Sequence, residues 1–266
     1  MTSTANARSS ERTFYGVSTL LFITGAAVTI VSCASMSSMR GMPMPGGWTM
    51  TMAWMRMPDQ TWTGAAASFL GMWIVMMIAM MLPSLVPMLR RYRDAMRAAG
   101  ETRLGALTMI VAAGYFFVWT LVGVAAYPLG VALNELAMQQ PAVSRLVPIA
   151  AGVTVLIAGA LQFTRWKARH LSCCRVTPGT AATLPPDAGS ACRHGMRLGI
   201  HCTSCCAGLM LILLVLGVMD LGVMAVVAAA ITVERLAPAG ERVARGVGVA
   251  TIAAGVLLCV QAARFA

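Results

Sequence analysis

Runs of about 20 apolar residues, each long enough to carry a helix across a bilayer, recur along this sequence with short polar stretches between them. A chain so patterned has few ways to fold. A closed β-barrel would show alternating segments of about ten residues, and that pattern is not present. Only 11% of the 266 residues are charged and 58% are apolar, against roughly a quarter charged in soluble domains. The expectation is an all-α, polytopic membrane helical bundle. Hydropathy places helices near 14–33, 63–89, 104–133, 146–166, 198–219, 221–236 and 246–263, which makes about seven transmembrane helices.

The formal charge of +11 would raise nucleic-acid binding for a soluble chain, but its placement points to lipid instead. The charge sits in short loops between apolar runs, where it sets orientation and attracts anionic headgroups. Lys and Arg divide unequally between the two sides. Sixteen fall on one: Arg8, Arg12, Arg90, Arg91, Arg93, Arg97, Arg103, Arg165, Lys167, Arg169, Arg175, Arg193, Arg197, Arg235, Arg242 and Arg245. Four fall on the other: Arg40, Arg56, Arg145 and Arg264. The positive side stays in the cytoplasm, so a multi-pass protein of the bacterial inner membrane is expected, with a cytoplasmic N-terminus and a periplasmic C-terminus. The first run has a second reading. Two arginines precede it, and Ile30-Val31-Ser32-Cys33 resembles a lipoprotein cleavage site, which would leave six spans and a lipid on Cys33.

No repeat of fixed period emerges, so the chain divides into a first helix or signal anchor over 1–33, a loop over 34–62, and a bundle of six helices over 63–266 containing a second long connection, 167–197. Both connections are chemically distinctive. The first, on the periplasmic side, holds Met36, Met39, Met42, Met44, Met50, Met52, Met55 and Met57, eight methionines within 22 residues. Gly41, Pro43, Pro45, Gly46 and Gly47 among them argue against a regular helix or strand. Thioethers keep a lone pair at any pH and select Cu(I) over harder ions. The alternative is an interfacial hairpin whose methionines pack against lipid or other helices. The second apolar run continues the pattern, with Met72, Met76 and Met80 at four-residue spacing on one face and Met77 and Met81 beside them. Pro83 and Pro87 then kink its end near Ser84.

Six of the eight cysteines and all three histidines lie between residues 170 and 206. His170, Cys173, Cys174, Cys192 and His194 fall in the cytoplasmic connection, where thiols stay reduced and act as ligands rather than disulfides. His201, Cys202, Cys205 and Cys206 open the next helix, with Cys202 and Cys206, like His201 and Cys205, four apart on one side. Such donors suit Cu(I), with Zn(II) or an iron–sulfur cluster as alternatives. Cys33 and Cys259 are isolated and read as packing. Asp220 reads as a turn residue, while Glu234, inside an apolar run, calls for a basic partner such as Arg235 or Arg242. No Ser/His/Asp set, phosphate loop or dinucleotide fingerprint appears.

The segment Ala79-Met80-Met81-Leu82-Pro83-Ser84 with Pro87, Trp166-Lys167 leading to Cys173-Cys174-Arg175, and His201-Cys202 with Cys205-Cys206 and Glu234 resemble a bacterial family of predicted metal-binding integral membrane proteins. The resemblance covers about residues 65–260 and implies metal binding, with no established transport or catalytic role. Where the family commonly has an aromatic after the paired cysteines, Ala207 stands here.

Three functions compete. A Cu(I)-handling membrane protein would take the ion from methionines outside to Cys/His ligands inside, for transport or for delivery to a copper chaperone or oxidase. A membrane thiol or metal-dependent oxidoreductase would use Cys202, Cys205 and Cys206. A noncatalytic scaffold of a membrane complex would use the methionines only for packing.

Overall fold

A computed structural model describes residues 2–38, 41–51, 54–56, 60–175 and 185–265. Met39, Met52 and Met57 lie outside the described residues, as does the side chain of Cys174. The fold is an all-α bundle. Its helices are α1 (Thr2–Ser38), α2 (Trp62–Ala98), α3 (Leu104–Gln139), α4 (Pro141–Leu161), α5 (Arg165–Arg175), α6 (Ala188–Leu216), α7 (Leu221–Leu236) and α8 (Gly240–Phe265).

Six of these, α1–α4, α6 and α8, are long and apolar enough to cross a membrane. The remaining expected span, 221–236, is α7 and has 16 residues; at 1.5 Å per residue it rises about 24 Å, short of a hydrocarbon core of about 30 Å.

Between α1 and α2, β1 (Met42–Met44) and β2 (Trp48–Met50) pair antiparallel, Met42 opposite Met50 and Met44 opposite Trp48. This differs from the irregular loop expected there. Gly46 and Gly47 take φ of +100° and +75°, conformations that glycine adopts without steric cost. The residues expected to prevent strands therefore make the turn that joins two of them.

Helix ends follow local chemistry. Thr61 caps α2 by accepting from the Gly64 amide at 3.1 Å, Asp187 caps α6 through Ser190 at 3.0 Å, and Asp220 caps α7 through Val223 at 2.9 Å, each satisfying an amide the helix leaves open. The prolines Pro83 and Pro87 lie within α2 without ending it. The helix runs on through its basic turn, where Asp94 pairs with Arg90 at 3.9 Å and with Arg97 at 3.5 Å. Between 161 and 165 the helix is interrupted by a turn, so the expected span 146–166 becomes α4 followed by the short α5. The connection 167–197 is in large part helical, in α5 and in the first turns of α6.

Cross-helix contacts sort the helix ends into two groups. At one end, Arg97 meets Glu11 at 3.2 Å and Arg93 donates to Ser10 Oγ at 2.7 Å. At the other, Trp48 Nε1 donates to the Ser144 carbonyl at 3.0 Å, Ser144 Oγ donates to the Pro45 carbonyl at 2.9 Å, and Cys33 lies 4.0 Å from Met219.

Close helix approach depends on small residues. In α6, Gly195 and Gly199 face α3, where an added Cβ would strike the Val111 carbonyl and come within 3.0 Å of the Tyr115 carbonyl. Small-residue spacing of this kind lets apolar helices pack backbone to backbone. Between α4 and α8, Gly159 acts alike, where an added Cβ would come within 3.0 Å of the Ile252 amide nitrogen and 3.1 Å of the Gly248 carbonyl.

Candidate metal centre

The α3–α6 contact is what seats the cysteines. One to three turns beyond Gly195 and Gly199, Cys202, Cys205 and Cys206 share a face of α6, at 0%, 2% and 1% exposure. Opposite them runs a stripe of α2, Phe69, Trp73, Met77, Met81, Ser84 and Met88, all buried.

Sulfur contacts run from Met81 Sδ to Cys202 Sγ at 4.0 Å, from Cys202 to Cys206 at 3.9 Å, and from Cys206 to Cys205 at 3.6 Å. Two sulfurs bound to one tetrahedral ion at about 2.3 Å stand about 3.8 Å apart, so the spacing fits shared coordination. Among the described residues, no group of three or more Cys, His, Asp and Glu side chains is arranged to hold a metal ion by itself. Closing the thiols on one ion requires side-chain rotation, and Met81 offers a further donor.

Charge around the sulfurs is arranged in pairs. Tyr115 Oη donates to Cys202 Sγ at 2.9 Å and Arg235 Nη1 donates to the same sulfur at 3.1 Å. Cys202 Sγ thus receives two donors, one of them cationic. Arg235 is held by Ser84 Oγ at 2.8 Å and lies 3.5 Å from Met88 Sδ. Ser84 in turn donates to the Met81 carbonyl at 3.0 Å, next to the turn that Pro83 interrupts. On the other flank, Lys167 Nζ meets Glu234 Oε2 at 2.7 Å and donates to the Cys205 carbonyl at 2.6 Å. Glu234 thus has the basic partner its apolar surroundings require, supplied by α5 rather than by Arg235 or Arg242.

The remaining expected ligands are spread through the molecule. Met76 and Met80 are buried in the core and Met72 is half-buried, whereas the methionine in contact with Cys202 belongs to the neighbouring stripe. His194 stacks on Tyr92 with ring centroids 5.4 Å apart. Cys192 is half-buried and Cys173 exposed. His170 and His201 face one another, 5.7 Å between centroids. In the hairpin region Met50 is fully buried and Met42 exposed, while Met36, Met44 and Met55 are half-buried.

Sequence reasoning named neither Tyr115 nor Met88; it set Met81 beside the stripe it favoured and, beyond the count of charges, named Lys167 only within the family motif and Arg235 only as a partner for Glu234. One signal was there to be read: Lys167 is the sole lysine of the chain, among 19 arginines.

An all-α bundle of long apolar helices enclosing buried thiols and a thioether defines the class of protein. Residues 70–258 match the family PpoB2, described as a copper chaperone, and the chain belongs to that family. Membership ties it to copper, a narrower statement than the general metal binding the sequence motifs implied. Neither a curated protein nor a solved structure matches the chain.

Proposed function

We propose that this protein is a Cu(I) chaperone of the bacterial inner membrane that holds its ion at Cys202, Cys205, Cys206 and Met81 and passes it to a partner protein. The observation that carries this reading is the buried cross-helix sulfur cluster, whose spacing of 3.6–4.0 Å matches metal coordination. Thiolate donors are soft and bind Cu(I) tightly, and the thioether of Met81 tips the set toward Cu(I) rather than harder ions. Arg235 supplies a cation to the apo site, and Cu(I) takes over that charge when it binds.

The asymmetry of Lys and Arg assigns the end carrying Glu11 and Arg97 to the cytoplasm and the end carrying the methionine hairpin to the periplasm. Delivery is favoured over conduction by what fills the space between hairpin and cluster. Trp54 packs on Phe69 at 5.1 Å, and Phe69 packs on Trp73 at 5.9 Å and on Tyr127 at 5.0 Å. Trp73 and Met77, both fully buried, continue that filling down to Met81.

Anaerobic Cu(I) titration of the detergent-purified protein against a chromophoric chelator tests the reading. One tightly held equivalent with sulfur scatterers is expected, lost in the Cys202→Ser/Cys206→Ser variant. A wild-type protein that binds no copper refutes it. In proteoliposomes, copper uptake equal with and without the protein is expected, and protein-dependent uptake replaces delivery by transport.

A further inference from the structure

Polar groups buried without partners are few in folded proteins and mark bound water or ions. Among the described residues, five of the eight such atoms are Gln162 Oε1, His170 Nδ1, His201 Nδ1, Thr203 Oγ1 and Glu234 Oε1, on or packed against the segment that carries the cysteines, and Trp119 Nε1, Tyr127 Oη and Arg235 Nε make up the rest. Two of them are imidazole nitrogens on facing rings. His170 stands on α5 three residues after Lys167, and His201 stands on α6 four residues before Cys205. The Lys167–Cys205 contact at 2.6 Å therefore sets the register that brings the rings together.

We infer that His170 and His201 form a second, nitrogen-donor Cu(I) site, a transfer station one helical turn from Cys205. This rests on the copper reading above, and it is distinct from the sulfur cluster in donor type and position. The separation of the two rings is compatible with one ion between them. With metal–nitrogen bonds of about 2 Å and ring atoms about 1.2 Å from each centroid, two imidazoles on a two-coordinate ion have centroids about 6 Å apart; here they are 5.7 Å apart. The rings are inclined at 44° and so are not a stacked pair. Trp166 meets His170 edge-on at 4.8 Å and holds that ring in place. Leaving two imidazole nitrogens buried and unbonded would cost about 1–3 kcal/mol each, and an ion between them removes that cost.

A small cavity lined by Gln162, Trp166, Lys167, Cys205 and Gly208 lies beside the cysteine and the tryptophan that meets His170. Gln162 is 5% exposed, and its unpartnered Oε1 adds a polar atom beside this cavity. The station lies toward the amino-terminal end of α6, the proposed cytoplasmic side. Imidazole is a weaker Cu(I) donor than thiolate, so the station holds the ion loosely, as a handover point must.

The same anaerobic titration decides the matter. The full-length protein should take up two equivalents of Cu(I), the second at least about 10-fold weaker, and X-ray absorption on the second should show imidazole scattering. His170→Asn/His201→Gln should lose the second equivalent and retain the sulfur-bound first, which also shows that the variant is folded. Cys202→Ser/Cys206→Ser should lose the first. A sulfur-bound first equivalent with no second in the wild type overturns the histidine station and leaves the chaperone reading intact. A second equivalent that persists in the histidine variant overturns it equally. No copper bound at all removes both.

Discussion

Glu234→Gln offers the sharpest test of how the centre is built. Lys167 Nζ and Glu234 Oε2 are 2.7 Å apart, with side chains only 5% and 2% exposed. Coulomb attraction at that distance is about 6 kcal/mol for an effective dielectric of about 20, and removing the two ions from water costs several kcal/mol each. The intact pair is therefore near balance against an apolar replacement. Removing one partner is different, because the other charge stays buried; such changes cost about 3–5 kcal/mol. The value here should fall at the lower end, since a chain unfolded in detergent finds other polar partners, and Lys167 retains the Cys205 carbonyl at 2.6 Å. Glu234→Gln is thus expected to lose about 3 kcal/mol, a factor of about 150 in the folding equilibrium. The double variant Lys167→Met/Glu234→Leu should stay within about 1 kcal/mol of wild type. Equilibrium unfolding in mixed micelles, followed by fluorescence of the buried Trp73 and Trp119, measures both. A Glu234→Gln loss below about 0.5 kcal/mol, or a double variant as unstable as the single, refutes the reasoning.

Three further outcomes are expected. Met81→Leu should weaken Cu(I) binding by at least about 10-fold with less than about 1.5 kcal/mol lost in stability, whereas Met76→Leu and Met80→Leu should bind as wild type; equal effects at all three would deny Met81 its place at the cysteines. Gly195→Ala should cost about 1–3 kcal/mol and weaken Cu(I) binding by shifting Tyr115 from Cys202, while Gly71→Ala, with nothing within 4 Å of an added Cβ, serves as the neutral control in the same unfolding assay. Hydrogen bonds from Ser190 hold the Asp187 carboxyl below its ordinary range, so its contribution to α6 is present above the unfolded carboxyl value of about 4 and is lost as pH falls through the lower folded value. Asp187→Asn, which still caps the helix, should flatten the acid limb of a stability-against-pH curve and leave its neutral part nearly unchanged.

The apolar runs made the bundle legible because a helix is the only open-ended element that satisfies its own backbone in lipid. Helix ends were less legible. Hydropathy stopped the second helix at 89, yet α2 continues to Ala98 because charged side chains in its last turns pair with Asp94 and Glu11, and hydropathy averages do not register such pairs. The methionine segment was read as irregular from its glycines and prolines, although two adjacent glycines also permit the tight turn of a hairpin. Spacing correctly put Cys202 and Cys206 on one face. What α6 faces there is decided by long-range packing, through Gly195 and Gly199 against α3, and that glycine pair was the signal available in the sequence for the close approach.

Spacing within one helix also could not choose between two methionine stripes. Met76 and Met80 follow the same four-residue rule as Met77 and Met81, and only the rotation of α2 against α6 decides which sulfur reaches a thiol. Pro83 interrupts the hydrogen-bond ladder at the turn where Ser84 donates back to the Met81 carbonyl and accepts from Arg235, so a helix irregularity, a methionine and the cation facing Cys202 are tied at one point. The proline, the serine and the methionine of the Met-Leu-Pro-Ser segment therefore act as a unit. Changing the proline alone should move Met81 relative to Cys202 and alter copper affinity with every sulfur donor still present.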